Sequence, residues 1–118
     1  MRNFLWFYFS LKGRISRLAY WAYFILPPVI AGAMAAIIVY YFKISPTPET
    51  KSLIETVVTL LFLWPSIAVQ AKRWHDLNKS GWWVLINLIP IVGILVFLGI
   101  GFFRGTRGNN RFGSDPVA

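Results

Sequence analysis

LAYWAYFILPPVIAGAMAAIIVYYF, Leu18 to Phe42, runs for 25 residues without a charged side chain. At about 1.5 Å of helical rise per residue it reaches about 37 Å, more than the roughly 30 Å hydrocarbon core of a bilayer. Pro27-Pro28 sits inside the run. Proline removes an amide donor and disfavours helix at the residue before it. The expected result is a kink, with Leu18–Leu26 oblique and Val29–Phe42 crossing. Gly32 and Ala36 form a small-xxx-small pair through which a second helix could approach closely. Simple space filling accounts for the pair as well.

Two further apolar runs lie outward from this one. Leu53 to Ala71 is broken only by Glu55, and Trp82 to Phe103 carries no charge over 22 residues. Long apolar runs that do not alternate exclude a barrel. Between them lie polar segments, Lys43–Ser52 and Lys72–Gly81, and a turn-rich tail, Arg104–Ala118, closes the chain. Residues 1–17 differ again. Phe4-Leu5-Trp6-Phe7-Tyr8-Phe9 is aromatic and too short to span, and Lys12, Arg14 and Arg17 follow it. Rings plus basic side chains suit the headgroup layer. The reading is all-α: a polytopic helical membrane protein forming one domain over 1–118. An N-terminal interfacial amphipathic helix (1–17) precedes three hydrophobic helices (18–42, 53–71 and 82–103) and a polar tail (104–118). No small-residue cleavage site follows the first aromatic stretch, so a cleaved signal is not expected.

Composition supports this. Of 118 residues 57% are hydrophobic and 14% charged, against about a quarter charged in soluble domains. A soluble fold would lack the polar surface to cover so much apolar area. The net charge of +8 raises nucleic acid as a partner. The basic residues, however, cluster at the ends of apolar runs, which favours anionic lipid headgroups over nucleic acid. The absence of cysteine excludes disulfides and thiolate chemistry, and with a single histidine no metal site or cofactor is expected.

Orientation follows from Lys and Arg in the short polar segments. Arg2, Lys12, Arg14 and Arg17 precede the first run. Lys43 and Lys51 follow it, then Lys72, Arg73 and Lys79, then Arg104, Arg107 and Arg111. Three crossings put the N-terminus in the cytoplasm by a small margin. A third run that turned back at Pro90–Gly93 would sharpen the bias, with the tail joining the N-terminal side. Length argues for three crossings, since a hairpin of ten-residue limbs would need partners for its turn.

The densest polar cluster is Arg73, His75 and Asp76. Asp76 could pair with Arg73 one turn away, or hold the His75 ring for proton transfer. A helix end anchored at the interface accounts for the same residues, with Trp74, Trp82 and Trp83 as an aromatic belt. Ser66, Gln70 and Arg73 share one helical face, and polar residues at membrane depth usually face protein. Arg14 and Arg17, ahead of Tyr20 and Trp21, suit a grip on lipid phosphate or generic anchoring. In the tail, Asn110, Arg111, Phe112 and Asp115 are expected to fold back onto the second polar segment, with Arg111 or Asp115 pairing to Asp76 or Arg73.

These motifs resemble the DUF805 family of small bacterial inner-membrane proteins. Gly13-Arg14-Ile15-Ser16-Arg17 with Tyr20-Trp21, and Arg73-Trp74-His75-Asp76 with Ser80-Gly81-Trp82-Trp83, carry the resemblance. Pro90, Gly93, Gly105-Thr106 and Gly108-x-Asn110-Arg111-Phe112-Gly113-x-Asp115-Pro116 complete it. Lys72 and Ser114 depart from the family's usual Arg and Pro. The resemblance implies a bacterial inner membrane location and no known activity. The expected function is a non-enzymatic component that binds anionic lipid and associates with itself or with a partner membrane protein. The alternative is an oligomeric transport or channel subunit using the Ser66/Gln70/Arg73 stripe, and a membrane enzyme using His75 and Asp76 comes behind both.

Overall fold

The computed structural model describes residues 4–117. Arg2, counted above among the basic residues, lies outside them. The elements in order are α1 (Phe4–Phe9), α2 (Arg17–Phe42), α3 (Pro48–Asp76), a 3-10 helix (Gly81–Leu88) and α4 (Pro90–Phe102). There is no strand among the described residues.

Ser16 starts α2, its hydroxyl accepting from the Ala19 amide at 3.2 Å. The helix continues through Pro27-Pro28 to Phe42 as one element, not an oblique piece followed by a crossing piece. The two prolines cancel only the hydrogen bonds their own amides would have given, and the apolar helix formers beyond them resume the ladder. Lys43 then turns the chain in the left-handed region (φ 51°). Thr47 caps α3 and Glu49 sits in its first turn. The polar segment expected over 43–52 is thereby shortened. The apolar run 53–71 is the middle of a 29-residue helix, about 43 Å long, so its polar ends project past a hydrocarbon core.

The third apolar run is not the single helix expected over 82–103. Gly81–Leu88 winds as 3-10 helix, Ile89 is extended (φ −93°, ψ 109°), and α4 covers only 13 residues. Pro90 is the local cause, because its ring drives the preceding residue out of the helical region. Gly93 completes the turn: a Cβ there would stand 2.9 Å from Asn87 Cα. The two limbs therefore fold against one another. At about 20 Å, α4 is shorter than the hydrocarbon core.

The N-terminal helix is also shorter than the 1–17 expected. α1 packs on α3 with Trp6, Phe7 and Tyr8 turned inward and Leu5 and Phe9 exposed. Residues 10–16 leave it as an irregular link. Tyr20 and Tyr23 of α2, Val69 of α3, Ile15 and Ile100 form the core. Around it, Trp21, Phe24 and Phe97 meet edge to face. Tyr20 donates to the Phe97 carbonyl at 2.7 Å and the Trp21 indole to the Gly101 carbonyl at 2.8 Å, tying α2 to α4. Tyr23 and Ser66 share a hydrogen bond of 3.1 Å, tying α2 to α3. All this packing lies at one end. From Pro28 through α2, and in α3 as far as Trp64, every residue is exposed. The molecule is a polar, tightly bonded cap carrying two apolar arms.

Candidate functional site

The cap is organised by five consecutive residues, Lys72-Arg73-Trp74-His75-Asp76, in the last turns of α3. Successive positions on a helix point about 100° apart, so each polar side chain in this run meets a different segment.

Lys72 is fully buried, and its ammonium donates to the carbonyls of Trp6 (3.1 Å), Phe7 (2.6 Å) and Ser10 (2.6 Å). The Trp6 carbonyl also accepts from the Ser10 amide at 3.1 Å, so the ammonium gathers the last turn of α1 and the first residue beyond it. The cation sits at the negative pole of that helix, over the Trp6 ring at 4.9 Å. Arg73, also fully buried, does the same for α4. Its Nε donates to Ile100 O at 2.5 Å and its Nη2 to Phe103 O, while Nη1 reaches Ile15 O at 3.1 Å and the Asp76 carboxylate.

Asp76 lies between two guanidiniums. Oδ2 faces Arg73, and Oδ1 accepts from Arg14 Nε at 3.0 Å, with Nη2 at 2.8 Å. The other Arg14 donors go to the tail: Nη1 to Gly108 O (2.7 Å) and Gly113 O (3.1 Å), Nη2 to Thr106 O (2.5 Å). A Cβ on Gly105 would lie 1.8 Å from Asp76 Oδ2, so only glycine lets the tail pass so near the carboxylate. Arg14 and Arg73 share a single carboxylate. The carbonyl ends of α1 and α4 supply the remaining negative potential.

His75 takes a separate set of partners. Its Nδ1 donates to Gly13 O at 2.9 Å, and its ring stacks flat on Phe112, centroids 4.0 Å apart and planes 5° apart. The Arg111 guanidinium lies over the same Phe112 ring, 4.7 Å from its centroid. The His75 carbonyl accepts from Asn110 Nδ2 (2.9 Å) and the Asp76 carbonyl from the Thr106 amide (2.7 Å). The tail thus returns to the end of α3, as the sequence suggested, but through other pairings. Arg111 reaches Asn78 O at 3.5 Å rather than Asp76. Asp115 closes the tail's own turn by accepting from the amides of Gly108 (2.9 Å) and Val117 (3.0 Å). The Val117 and Gly108 amides hold its carboxyl below the usual carboxylate range.

Several expected roles change. Arg14 is buried against Asp76 and the tail, so it grips no headgroup. Tyr20 and Trp21 point at α4, and of that group only Arg17 is exposed, with one donor on Phe102 O at 3.2 Å. The Ser66/Gln70/Arg73 stripe is consumed inside the chain: Ser66 by Tyr23, Gln70 by Asn87 at 2.5 Å, Arg73 by α4 and Asp76. His75 and Asp76 turn to different partners, so a joint acid–base role has no geometry. No buried polar side-chain atom among the described residues lacks a partner, and no group of three or more metal-ligating side chains occurs among them.

Sequence reasoning passed over Lys72 as a contact residue, counting it for orientation and noting it as a departure from the family pattern. Asn87 and Gly105 were also missed as contact residues. A charged residue at the buried end of an apolar helix was the available signal for Lys72. Nothing in the sequence marks which distant carbonyls it answers.

A family model described as "Protein of unknown function (DUF805)" matches residues 8–114, which is nearly the whole described chain and every residue of the cap's charge network. The chain belongs to the DUF805 family. Inner membrane protein YhaH of Escherichia coli K12 is 34% identical over 92% of this chain and 88% of its own length. Inner membrane protein YhaI is 35% identical over 92% and 87%. Uncharacterized protein YiiR is 24% identical over 91% and 86%. No solved structure matches. The DUF805 chain is thus an inner-membrane protein of unknown biochemical function, and its α2 and α3 are both long and apolar enough to cross a membrane.

Proposed function

We propose that this DUF805 protein is a non-enzymatic membrane component that crosses the bilayer twice and associates with a second copy of itself. In this reading α2 and α3 span, while the 3-10 helix and α4 re-enter and return. The cap then lies on the cytoplasmic side with the N-terminus and the tail. Ten of the twelve Lys and Arg fall on that side and only Lys43 and Lys51 on the other, the asymmetry that orients membrane proteins. A cap this basic at headgroup level is also drawn to anionic lipid.

The observation that carries self-association is the exposure of both arms. In α3, Ser52, Glu55, Thr56 and Thr59 follow i, i+3, i+4, i+7 spacing, one polar face on an exposed helix. Polar faces at membrane depth pack on protein. In α2, Gly32 is open, with no atom within 4 Å of where its Cβ would stand. The Tyr23–Ser66 bond sets the two helices in register. Nine residues further out, Gly32 of α2 stands level with Val57 of α3, between Thr56 and Thr59. One copy therefore offers a small-residue notch at the depth where another offers a polar face. Side-chain hydrogen bonds between such helices contribute about 0.6–2 kcal/mol each.

The test is the oligomeric state of the full chain extracted in native lipid. Wild type is expected to be dimeric or larger, and Gly32→Leu to shift it towards monomer. A wild-type monomer in native lipid would remove the proposal.

A further inference from the structure

The two arginines of the tail that the cap does not use border a cavity of about 180 Å3 between the start of α2 and the end of α4. Its walls carry Arg17, Arg104, Arg107 and Asp115, over a floor made by the Arg73–Asp76 pair. Arg104 and Arg107 make no hydrogen bond or ion pair among the described residues, and Arg17 has only its bond to the Phe102 carbonyl. Asp115 is occupied by two backbone amides. Three guanidiniums against one engaged carboxylate leave the opening with a surplus of two positive charges. The walls supply donors in the fork geometry that fits phosphate oxygens.

Exposed apolar side chains adjoin the cavity's arginines in sequence. Leu18 and Phe103, adjacent in sequence to Arg17 and Arg104, are 81% and 67% exposed, and Val117 at the cavity is 75% exposed. Arginine donors in the cavity walls, with exposed apolar side chains next to them in sequence, match an amphiphile with an anionic head.

We propose that Arg17, Arg104 and Arg107 form a binding site for a phosphate group, carried by an anionic phospholipid whose chains lie along Leu18 and Phe103. This deepens the headgroup attraction proposed above by giving it a defined site. The site moves the lipid contact from Arg14, which is buried, to tail residues that are exposed and can be replaced without disturbing the cap.

The test uses the full-length protein in a neutral detergent. It is titrated with short-chain phosphatidylglycerol, short-chain phosphatidylcholine and inorganic phosphate. Arg104→Gln/Arg107→Gln is compared with Lys43→Gln/Lys51→Gln, which removes the same charge far from the cavity. Wild type is expected to bind phosphatidylglycerol at least tenfold more tightly than phosphatidylcholine. The arginine double variant should lose about tenfold or more in affinity, on the scale of about 1 kcal/mol per basic residue, and the lysine variant little. If inorganic phosphate binds with the same dependence on Arg104 and Arg107, and phosphatidylglycerol does not, the site stands with free phosphate as its ligand. If phosphatidylglycerol is preferred but both double variants bind it like wild type, or weaken equally, the defined site is overturned and only diffuse attraction survives. If wild type shows no preference for either anionic probe, site and attraction both fall.

Discussion

Asp76 shows how much of the cap rests on single side chains. It is the one carboxylate between Arg14 and Arg73, both buried. Breaking a buried pair by removing one charge leaves the other uncompensated, typically at about 3–5 kcal/mol. Asp76→Asn keeps the volume and removes the charge. It is expected to destabilise the folded protein by that order, read as a lower midpoint in thermal unfolding of the detergent-solubilised chain. An unchanged midpoint would show that the carbonyl ends of α1 and α4 balance the guanidiniums unaided. Lys72→Met is the complementary case. It removes the ammonium from the carbonyls of Phe7 and Ser10, and from that of Trp6, which keeps the Ser10 amide; each buried acceptor left unsatisfied costs about 1–3 kcal/mol. The expected outcome is release of α1, seen as faster proteolysis at Lys12 and a red-shifted Trp6 emission. Lys72→Arg, which restores donors, should recover most of the protection.

At the scale of the element, the third apolar run separates what a sequence reveals from what it hides. Length and composition mark Trp82–Phe103 as one crossing, and Pro90 with Gly93 mark a possible turn; the two signals conflict. Contacts far along the chain decide it, because Asn87 must reach Gln70 and α4 must present its end to Arg73. Gly93→Leu is expected to force the limbs apart, since even a Cβ there meets Asn87 backbone at 2.9 Å. Overpacking of this kind costs about 1–3 kcal/mol or more. Disulfide trapping between cysteines at positions 86 and 94 in wild-type and Gly93→Leu backgrounds would report the separation. Equal trapping in both would count against the folded-back hairpin. The long helices were legible from uninterrupted apolar length, and Arg73, His75 and Asp76 stood out as charges at a helix end. Their partners were not legible. Backbone carbonyls answer most of these donors, and a carbonyl leaves no trace in the identity of the residue that bears it. For the same reason Arg14 read as a surface residue.

For the whole molecule, the two proposals divide the labour between arms and cap. The arms face lipid or a second copy. The cap gathers the N-terminal link, the end of α3, the end of α4 and the tail at one face. Reporter domains fused to the N-terminus and to the C-terminus are therefore both expected to read cytoplasmic, whereas one inserted between Lys43 and Thr47 should read the opposite side. A C-terminal reporter on the far side would require α4 to cross and the tail to leave Arg14. That arginine has a consequence in time as well as in space. Its three carbonyl acceptors lie 92, 94 and 99 residues further along the chain. Arg14 is made 92 to 99 residues before these acceptors, and its site is complete only once Gly113 has been added. A nascent chain cut short before Gly108 keeps both apolar arms and the Arg14–Asp76 pair, yet leaves Arg14 Nη1 without either of its acceptors.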